Sequence, residues 1–304
     1  GKSSDVVDAL VAWLNECGVK LRSSTPVTKL LTKEGSIRGV ACGSEIIECD
    51  AVILATGGSS YPGTGSTGDG FTLATSVGHS ITQLRPALIP LIVAEPIPSL
   101  AGLDLKNVGI RIYINGKRKV NDFGEMGFTR FGIGGPVVLT HSLFVVDSLK
   151  TKKKVEVSLD LKPALDEGKL DRRLLRDFEK RRTEEIASVL RGLLPQKLVE
   201  TALFFCAIDG NTMAGKITSH ERMRLRIWLK DFRFSITGYR PLSEAIITAG
   251  GIKVKEINPN SMESQIITGL YITGELLDIN GETGGYNLQA AFSTGWLAGR
   301  SAAT

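Results

Sequence analysis

The stretch that decides the fold is residues 269–300, which read GLYITGELLDINGETGGYNLQAAFSTGWLAGR. Its apolar start predicts a short strand over Leu270–Thr273, followed by a glycine and the carboxylate of Glu275. A polar loop comes next, and a helix is expected to begin near Tyr286. Small residues recur along this helix, so it is expected to approach a sheet closely. The helix face expected to point inward comprises Leu288, Ala291, Phe292, Gly295 and Trp296.

The residues just before this helix, Thr283-Gly284-Gly285, indicate a binding turn. Backbone N–H groups at the start of a helix lack partners within it and lie at the positive end of its dipole, which favours an anionic group. The pyrimidine edge of a reduced flavin carries negative charge, and fixed donors stabilise such charge as it develops. Glu275 could accept hydrogen bonds from sugar or ribityl hydroxyls. The alternative is a glycine-rich turn that caps an ordinary helix.

A second strand with a glycine turn is AVILATGG, residues 51–58. A buried strand that ends in small residues is typical of a site where a dinucleotide passes over the sheet edge. The following loop contains G-x-G-x-x-G at residues 63–68. Unlike a dinucleotide fingerprint, it lies several residues beyond the strand, follows the ATGG turn and has no acid at the expected ribose position. We interpret it as a loop that encloses the ligand, with Thr67 and Asp69 capping the next helix.

The pattern along the chain predicts one α/β domain with a large insertion. Residues 4–18 have apolar residues at helical spacing, with Ser4 as N-cap, and predict an amphipathic helix. Strand-like runs broken by Gly and Pro follow Pro86, and basic helical sequence follows these runs. The expected division is 1–86 and 248–304 for the ligand-binding domain and 87–247 for the insertion, with 87–160 mainly β and 161–232 mainly helical.

Composition limits the class of protein. The 304 residues are 42% hydrophobic and 23% charged, ordinary values for a globular chain. No apolar run is long enough to span a membrane and no signal peptide opens the chain, so a cytoplasmic location without membrane contact is expected. Four cysteines without a CxxC pair, together with three histidines, give no ligand set for a metal, and no metal site is expected.

The segment GFTRFGIGGPVVLTHS, residues 127–142, combines glycines with polar side chains that could line a pocket for a small-molecule substrate. A flavin supplies the redox chemistry, so the protein needs only to orient the substrate and relay a proton. The candidates for this pocket are Tyr61, Arg130 and His141. A tight turn of a β-barrel explains the glycines equally well, and no residue is identified as catalytic.

Positive charge is concentrated between Lys150 and Arg233, a segment with 20 Lys and Arg against 13 Asp and Glu. A nucleic-acid surface would place cations on one face with interleaved aromatic residues. Here acids such as Glu179 and Glu184 are interspersed with the cations, as on solvated helices. The alternative function is a module that binds nucleic acid or protein through this basic insertion, with a vestigial flavin fold.

Together these motifs resemble a family of prokaryotic flavoproteins. The resemblance is carried by SDVVDAL, ILATGGSSYPGTGSTGDGF, GHSI, RPALIPL, FGIGGP, AIITAGGI, MES and the C-terminal stretch. The family comprises aminoacetone-oxidase-like and bile-acid-inducible-reductase-like NAD(P)/FAD-dependent oxidoreductases. It implies a partial two-dinucleotide-binding FAD domain, interrupted by a β-barrel-like domain with a helical subdomain. It also implies hydride transfer through FAD, with NAD(P)H as the candidate electron donor.

The resemblance further implies which residues contact the cofactor. The turn beside FAD comprises Ala55, Thr56, Gly57 and Gly58. The pair at the ribityl chain is Gly274 and Glu275, with Asp278 as a further candidate. The loop against the isoalloxazine comprises Thr283, Gly284, Gly285, Tyr286 and Asn287.

One departure from the family concerns the start of the chain. The family begins with a βαβ unit that carries a glycine-rich phosphate loop, and Gly1 corresponds to a point inside its first domain. We therefore expect a truncated chain that binds FAD weakly or not at all. We also expect the parallel sheet to have an exposed edge that promotes self-association.

Overall fold

A computed structural model describes residues 2–304. The helices are α1 (Ser3–Glu16), α2 (Asp69–Ser76), α3 (Pro136–Lys150), α4 (Glu167–Lys180), α5 (Ile186–Leu190), α6 (Gln196–Phe205), α7 (Ser219–Lys230) and α8 (Tyr286–Ala302). The strands are β1 (Lys29–Lys33), β2 (Ser36–Cys42), β3 (Glu45–Glu48), β4 (Val52–Leu54), β5 (Ile81–Ala87), β6 (Leu91–Val93), β7 (Asp104–Ile114), β8 (Lys117–Phe128), β9 (Gly132–Gly134), β10 (Val155–Asp160), β11 (Phe232–Tyr239), β12 (Ile247–Ile252) and β13 (Leu270–Ile272).

A closed six-stranded barrel forms the middle of the chain, with strand order β10-β11-β6-β9-β8-β7. Alternation along β7 explains the barrel core: Val108, Ile110 and Ile112 are buried, while the residues between them are half-exposed. Phe232 and Phe234 pack with centroids 4.5 Å apart and extend this core. The barrel confirms the β-barrel-like domain that the family resemblance implies.

Helix α3 is an element that the sequence pattern does not predict. The segment expected as strand or barrel turn instead starts a 15-residue helix at Pro136. Proline at the first helical position has its backbone angle preset for the helix. The β-branched run that follows lowers helix propensity only slightly, and tertiary packing decides the outcome. Val137, Val138 and Val145 are buried against the barrel core.

Helices α4 to α7 form a layer beside the barrel. Leu170, Leu174 and Phe178 recur at helical spacing on α4 and are all buried. An ion pair joins this layer to the barrel, because Lys230 Nζ at the end of α7 lies 2.6 Å from Asp160 Oδ2 on β10. Some cations of the insertion therefore form ion pairs within the fold.

Two small sheets connect distant parts of the chain. Strand β13 pairs in parallel with β4, and β12 pairs antiparallel with β5. A buried hydrogen-bond chain adds to this layer: His79 lies 3.0 Å from Glu256 Oε2 and 2.9 Å from Ser264 Oγ. Residues from both ends of the sequence therefore share one α/β layer. The numerical domain boundaries given above stay a prediction.

Three local expectations are wrong. The N-cap of α1 is Lys2 rather than Ser4, and α1 forms but buries none of its residues. The N-cap of α2 is Gly68, so neither Thr67 nor Asp69 supplies a side-chain cap. On α8 the large apolar residues expected to point inward are exposed, and only Ala298 is buried. Periodicity identifies the apolar face of a helix, but it does not provide the surface that the face packs against. The exposed fractions on α8 are 65% for Leu288, 59% for Phe292 and 65% for Trp296.

Self-association through a sheet edge stays a prediction. The pairing and the exposure of β4 support it. Among the described residues β4 pairs with β13 alone, and Ile53 on it is 39% exposed. We expect the chain to elute from a size-exclusion column as an oligomer, and Ile53→Lys to shift it toward the monomer, since an edge charge opposes strand pairing.

The matched control for this experiment is Phe204→Lys on α6. Phe204 is 80% exposed and lies far along the chain from β4, so its replacement should leave the elution position unchanged. Elution of the unaltered chain as a monomer over a wide concentration range would contradict the prediction.

Candidate functional site

The carboxylate of Glu275 joins the two glycine turns that the sequence singles out. It accepts hydrogen bonds from the Gly58 N–H at 3.3 Å, from the Ser60 hydroxyl at 3.3 Å and from the Thr248 N–H. Gly58, Ser60 and Thr248 are all buried. Glu275 therefore holds the end of β4 and the start of β12 together.

The glycines after β4 are required by packing of the turn itself. Gly57 has φ +74°, a left-handed conformation that favours glycine. A Cβ on Gly58 would lie 2.4 Å from the Thr248 hydroxyl oxygen and 2.8 Å from the Glu275 carboxyl carbon. A side chain at position 58 would therefore displace Glu275 from its donors, whereas a Cβ at position 57 would lie 2.6 Å from the Ser66 hydroxyl oxygen.

Asn287 fixes the loop that precedes α8. Its Oδ1 accepts the Gly281 N–H at 2.7 Å, and its Nδ2 donates to the carbonyl oxygens of Gly281 at 3.0 Å and Glu282 at 3.4 Å. Gly284 and Gly285 follow with φ +114° and +91°. The backbone N–H groups of residues 284–287 have no acceptor anywhere in residues 2–304. They lie at the positive end of the α8 dipole.

A cleft of about 450 Å³ opens in front of these N–H groups. One side is apolar and comes from residues beside β12 and the barrel, Leu88, Ile246 and Ile247. A hydrogen bond of 3.0 Å between the hydroxyls of Thr140 and Thr283 ties α3 to the rim. The opposite side comprises Glu275, Glu282, Thr283, Gly284, Gly285, Asn287, Leu288 and Ala291.

The structure brings together five of the predicted cofactor residues at this cleft, namely Glu275, Thr283, Gly284, Gly285 and Asn287. Gly274 lines a small recess next to it, together with Asn287 and Thr294. Tyr286 is exposed and does not line the cleft. Ala55 and Thr56 are exposed at the end of β4, and Asp278 donates its N–H to the Ile252 carbonyl outside the cleft.

None of the three substrate-pocket candidates lines the cleft. Tyr61 is exposed in the loop after β4, and Arg130 is exposed between β8 and β9. His141 on α3 lies 2.7 Å from Asp122 Oδ2, and this hydrogen bond lowers the pKa of Asp122. Their assignment to a substrate pocket stays a prediction.

Several cleft residues carry no local signal in the sequence. Leu88 and Ile246 lie in segments that carry the family resemblance but contain no binding motif, and Thr140 lies in a helix that the pattern does not predict. They are identified as cleft residues only by their positions near Thr283 in the folded chain. Within the described part of the chain, no group of His, Cys, Asp and Glu has the arrangement of a metal site. No helix in that part has the length and apolar character needed to cross a membrane.

The architecture and the cleft define a mixed α/β protein with a Rossmann-like layer and a six-stranded barrel. The chain belongs to the HI0933-like family: the family model described as HI0933-like protein Rossmann domain matches residues 1–301. This match and the first relative below confirm the resemblance to flavoprotein oxidoreductases at the level of the family.

The similar proteins comprise one named as a bile-acid reductase and two named as ribosomal RNA dihydrouridine synthases. The 3-dehydro-bile acid delta(4,6)-reductase of Clostridium scindens is 31% identical over 304 residues, which are 99% of this chain and 74% of that protein. The ribosomal RNA dihydrouridine synthase of Haemophilus influenzae is 27% identical over 98% of this chain and 72% of its own length. The ribosomal RNA dihydrouridine synthase of Escherichia coli is 26% identical over 97% and 70%.

Proposed function

We propose that this chain is the ring-binding and substrate-domain portion of an FAD-dependent oxidoreductase. The observation that carries the proposal is the cleft at the start of α8, where unpaired backbone N–H groups face an apolar wall. A bound flavin would supply two-electron hydride chemistry. The chain's own residues would hold the ring, stabilise charge on its edge and orient the substrate.

The donor set fits a flat ring with an edge that becomes anionic. N–H groups of residues 284–287 are fixed by the Asn287 clamp, so they need no rearrangement to meet developing charge. Leu88 and Ile247 offer an apolar surface for the ring face. The cleft volume of about 450 Å³ lies within the range of cofactor pockets.

Glu275 has capacity left for a ribityl hydroxyl. A carboxylate has about four lone-pair sites, and the protein donors Gly58, Ser60 and Thr248 occupy three of them. Two of these bonds are long, at 3.3 Å. A hydroxyl donor at the mouth of the cleft could therefore add to Glu275 without breaking the contacts that hold the turns.

The names of the relatives support one reaction class. A delta(4,6)-reductase and a dihydrouridine synthase both add hydrogen across a carbon–carbon double bond. We infer for this chain the reduction of a double bond conjugated to a carbonyl. Hydride would reach the β-carbon, a proton would reach the α-carbon, and NAD(P)H would be oxidised overall. The substrate would be a small enone or a uridine within RNA.

The RNA substrate is the second candidate, favoured by the two synthase names and by the basic segment between Lys150 and Arg233. It differs from a pure binding module, because nucleic acid would be reduced rather than only bound. Loss of RNA binding at raised salt, without any double-bond reduction, would instead support the module.

We expect the 304-residue chain to retain FAD weakly or not at all after purification. The candidate donors and acceptors lie at the ring edge and the ribityl chain, which FMN and FAD share. Titration by flavin fluorescence should therefore give dissociation constants for FMN and FAD within about threefold of each other. Stoichiometric FAD in the purified protein, or a strong preference for FAD over FMN, would contradict this expectation.

The oxidoreductase itself is tested anaerobically with excess FAD. The reduced flavin should be reoxidised faster when chain and a conjugated steroid enone, or a short oligouridylate, are both present. The saturated steroid is the control, because it has no double bond to accept hydride. The proposal is wrong if neither acceptor speeds reoxidation beyond the rate of reduced FAD without protein. Acceleration by one acceptor alone would identify the substrate class.

A further inference from the structure

A second cleft lies on the outer wall of the barrel, away from the flavin cleft. Its volume is about 690 Å³, and its lining comes from β7, β8, the segment after β10, α4 and the turn after α5. Its polar residues are Asn107, Lys162 and Arg173, and its apolar residues include Phe123, Leu161 and Pro163. None of these residues takes part in the site described above.

Two cations face this cleft without full compensation. The Lys162 ammonium has no hydrogen-bond or ion-pair partner within residues 2–304. Burial lowers the pKa of Lys162, and the positive charge of Arg173 lowers it further. Asp160, two residues before Lys162, is already paired with Lys230 and Arg111. Arg173 pairs with Asp177, but no carboxylate among residues 2–304 pairs with Lys162, so an added anion beside these two like charges would be favourable.

Arg173 retains the donors that an anion would need. Its Nε donates to Asp177 Oδ2 at 2.5 Å, while its two terminal nitrogens donate to no residue in the described part of the chain. A guanidinium presents these nitrogens as a planar fork that matches phosphate oxygens. Lys162 would add a point charge in the same cleft.

The other walls suit a flat ring attached to that anion. Phe123 on β8 pairs in register with Gly109 on β7, and its side chain is 56% exposed. An exposed phenyl ring can stack with a nucleobase. Asn107 offers both a donor and an acceptor to a base edge. Aromatic, amide and paired cationic groups in one cleft are a combination typical of nucleotide sites.

We propose that this cleft binds a nucleotide, with its phosphate on Lys162 and Arg173 and its base against Phe123. A free nucleotide and one unit of an RNA strand share this chemistry, and the experiment below distinguishes them. A neighbouring cavity of about 230 Å³ shares Asn107, Leu161 and Lys162 and continues the cleft toward Lys106 and Asp104. The site is independent of the flavin cleft.

Binding is measured by calorimetry on the full chain without flavin, so failure here leaves the proposed oxidoreductase untouched. The probes are UMP, uridine, inorganic phosphate and a short oligouridylate. UMP should bind more tightly than uridine or phosphate alone. Lys162→Gln and Arg173→Gln should each weaken UMP binding by about tenfold or more. Phe123→Ala should remove the advantage of UMP over phosphate.

Arg172→Gln is the matched control, because Arg172 neighbours Arg173 on α4 but is exposed and does not line the cleft. It should leave UMP binding unchanged, and thermal melts of all variants should remain cooperative. Oligouridylate binding much tighter than UMP would identify a strand as the source, and equal affinity would identify a free nucleotide. The proposal is overturned if neither UMP nor oligouridylate binds, if both cation variants bind as the unaltered chain does, or if phosphate binds as tightly as UMP.

Discussion

Replacement of Glu275 by alanine is expected to lower the free energy of unfolding by about 3 kcal/mol and to abolish flavin binding. The carboxylate accepts hydrogen bonds from Gly58, Ser60 and Thr248, all of them buried. Its removal leaves the Gly58 and Thr248 N–H groups unpaired, leaves the Ser60 hydroxyl with only the Ile246 carbonyl at 3.5 Å, and separates the turn after β4 from β12. Urea denaturation followed by circular dichroism measures the loss of stability.

Two further variants distinguish the role of Glu275 from a general effect at the cleft. Glu275→Gln keeps one acceptor oxygen but turns an amide donor toward N–H donors, so its stability should fall between those of the alanine variant and the unaltered chain. Glu282→Ala, exposed at the mouth of the same cleft, should change stability by less than about 0.5 kcal/mol. Equal stabilities for Glu275→Ala and Glu282→Ala would contradict the argument.

Much of the C-terminal layer can be predicted from the sequence because its signals are local. The strand at Leu270, the glycine turn and the start of α8 at Tyr286 each follow from a few consecutive residues. The packing of α8, in contrast, does not follow from consecutive residues. Leu288, Phe292 and Trp296 form a regular apolar stripe, yet which surface that stripe meets depends on segments far away in the chain.

The residues of the cleft also divide into those that the sequence predicts and those that it does not. Glu275, Gly284 and Asn287 lie in one glycine-rich stretch that is typical of a cofactor loop, and the structure brings them to one cleft. The apolar wall at Leu88 and Ile246 arises only when the barrel meets the α/β layer, and neither residue is unusual in its own segment. No pattern in the sequence indicates where the barrel packs against the α/β layer.

Replacement of Asn287 by alanine should weaken flavin binding by about tenfold or more, with only a small loss of stability. The amide makes three hydrogen bonds to Gly281 and Glu282, which hold the loop and aim the N–H groups of Gly284 and Gly285 into the cleft. Without these hydrogen bonds, ordering the loop would reduce the free energy of flavin binding. Fluorescence titration with FMN, together with urea denaturation, separates the two effects.

Asn280→Ala is the matched control, since Asn280 is exposed in the same loop and makes no side-chain hydrogen bond to any described residue. It should bind FMN as the unaltered chain does. Asn287→Asp keeps the acceptor for the Gly281 N–H but places a negative charge beside the ring edge. Because charge of the same sign repels, this variant should weaken binding of reduced FMN more than that of oxidised FMN and so lower the reduction potential of the bound flavin. Equal losses for the two redox states would indicate that Asn287 only orders the loop and that the ring edge lies elsewhere.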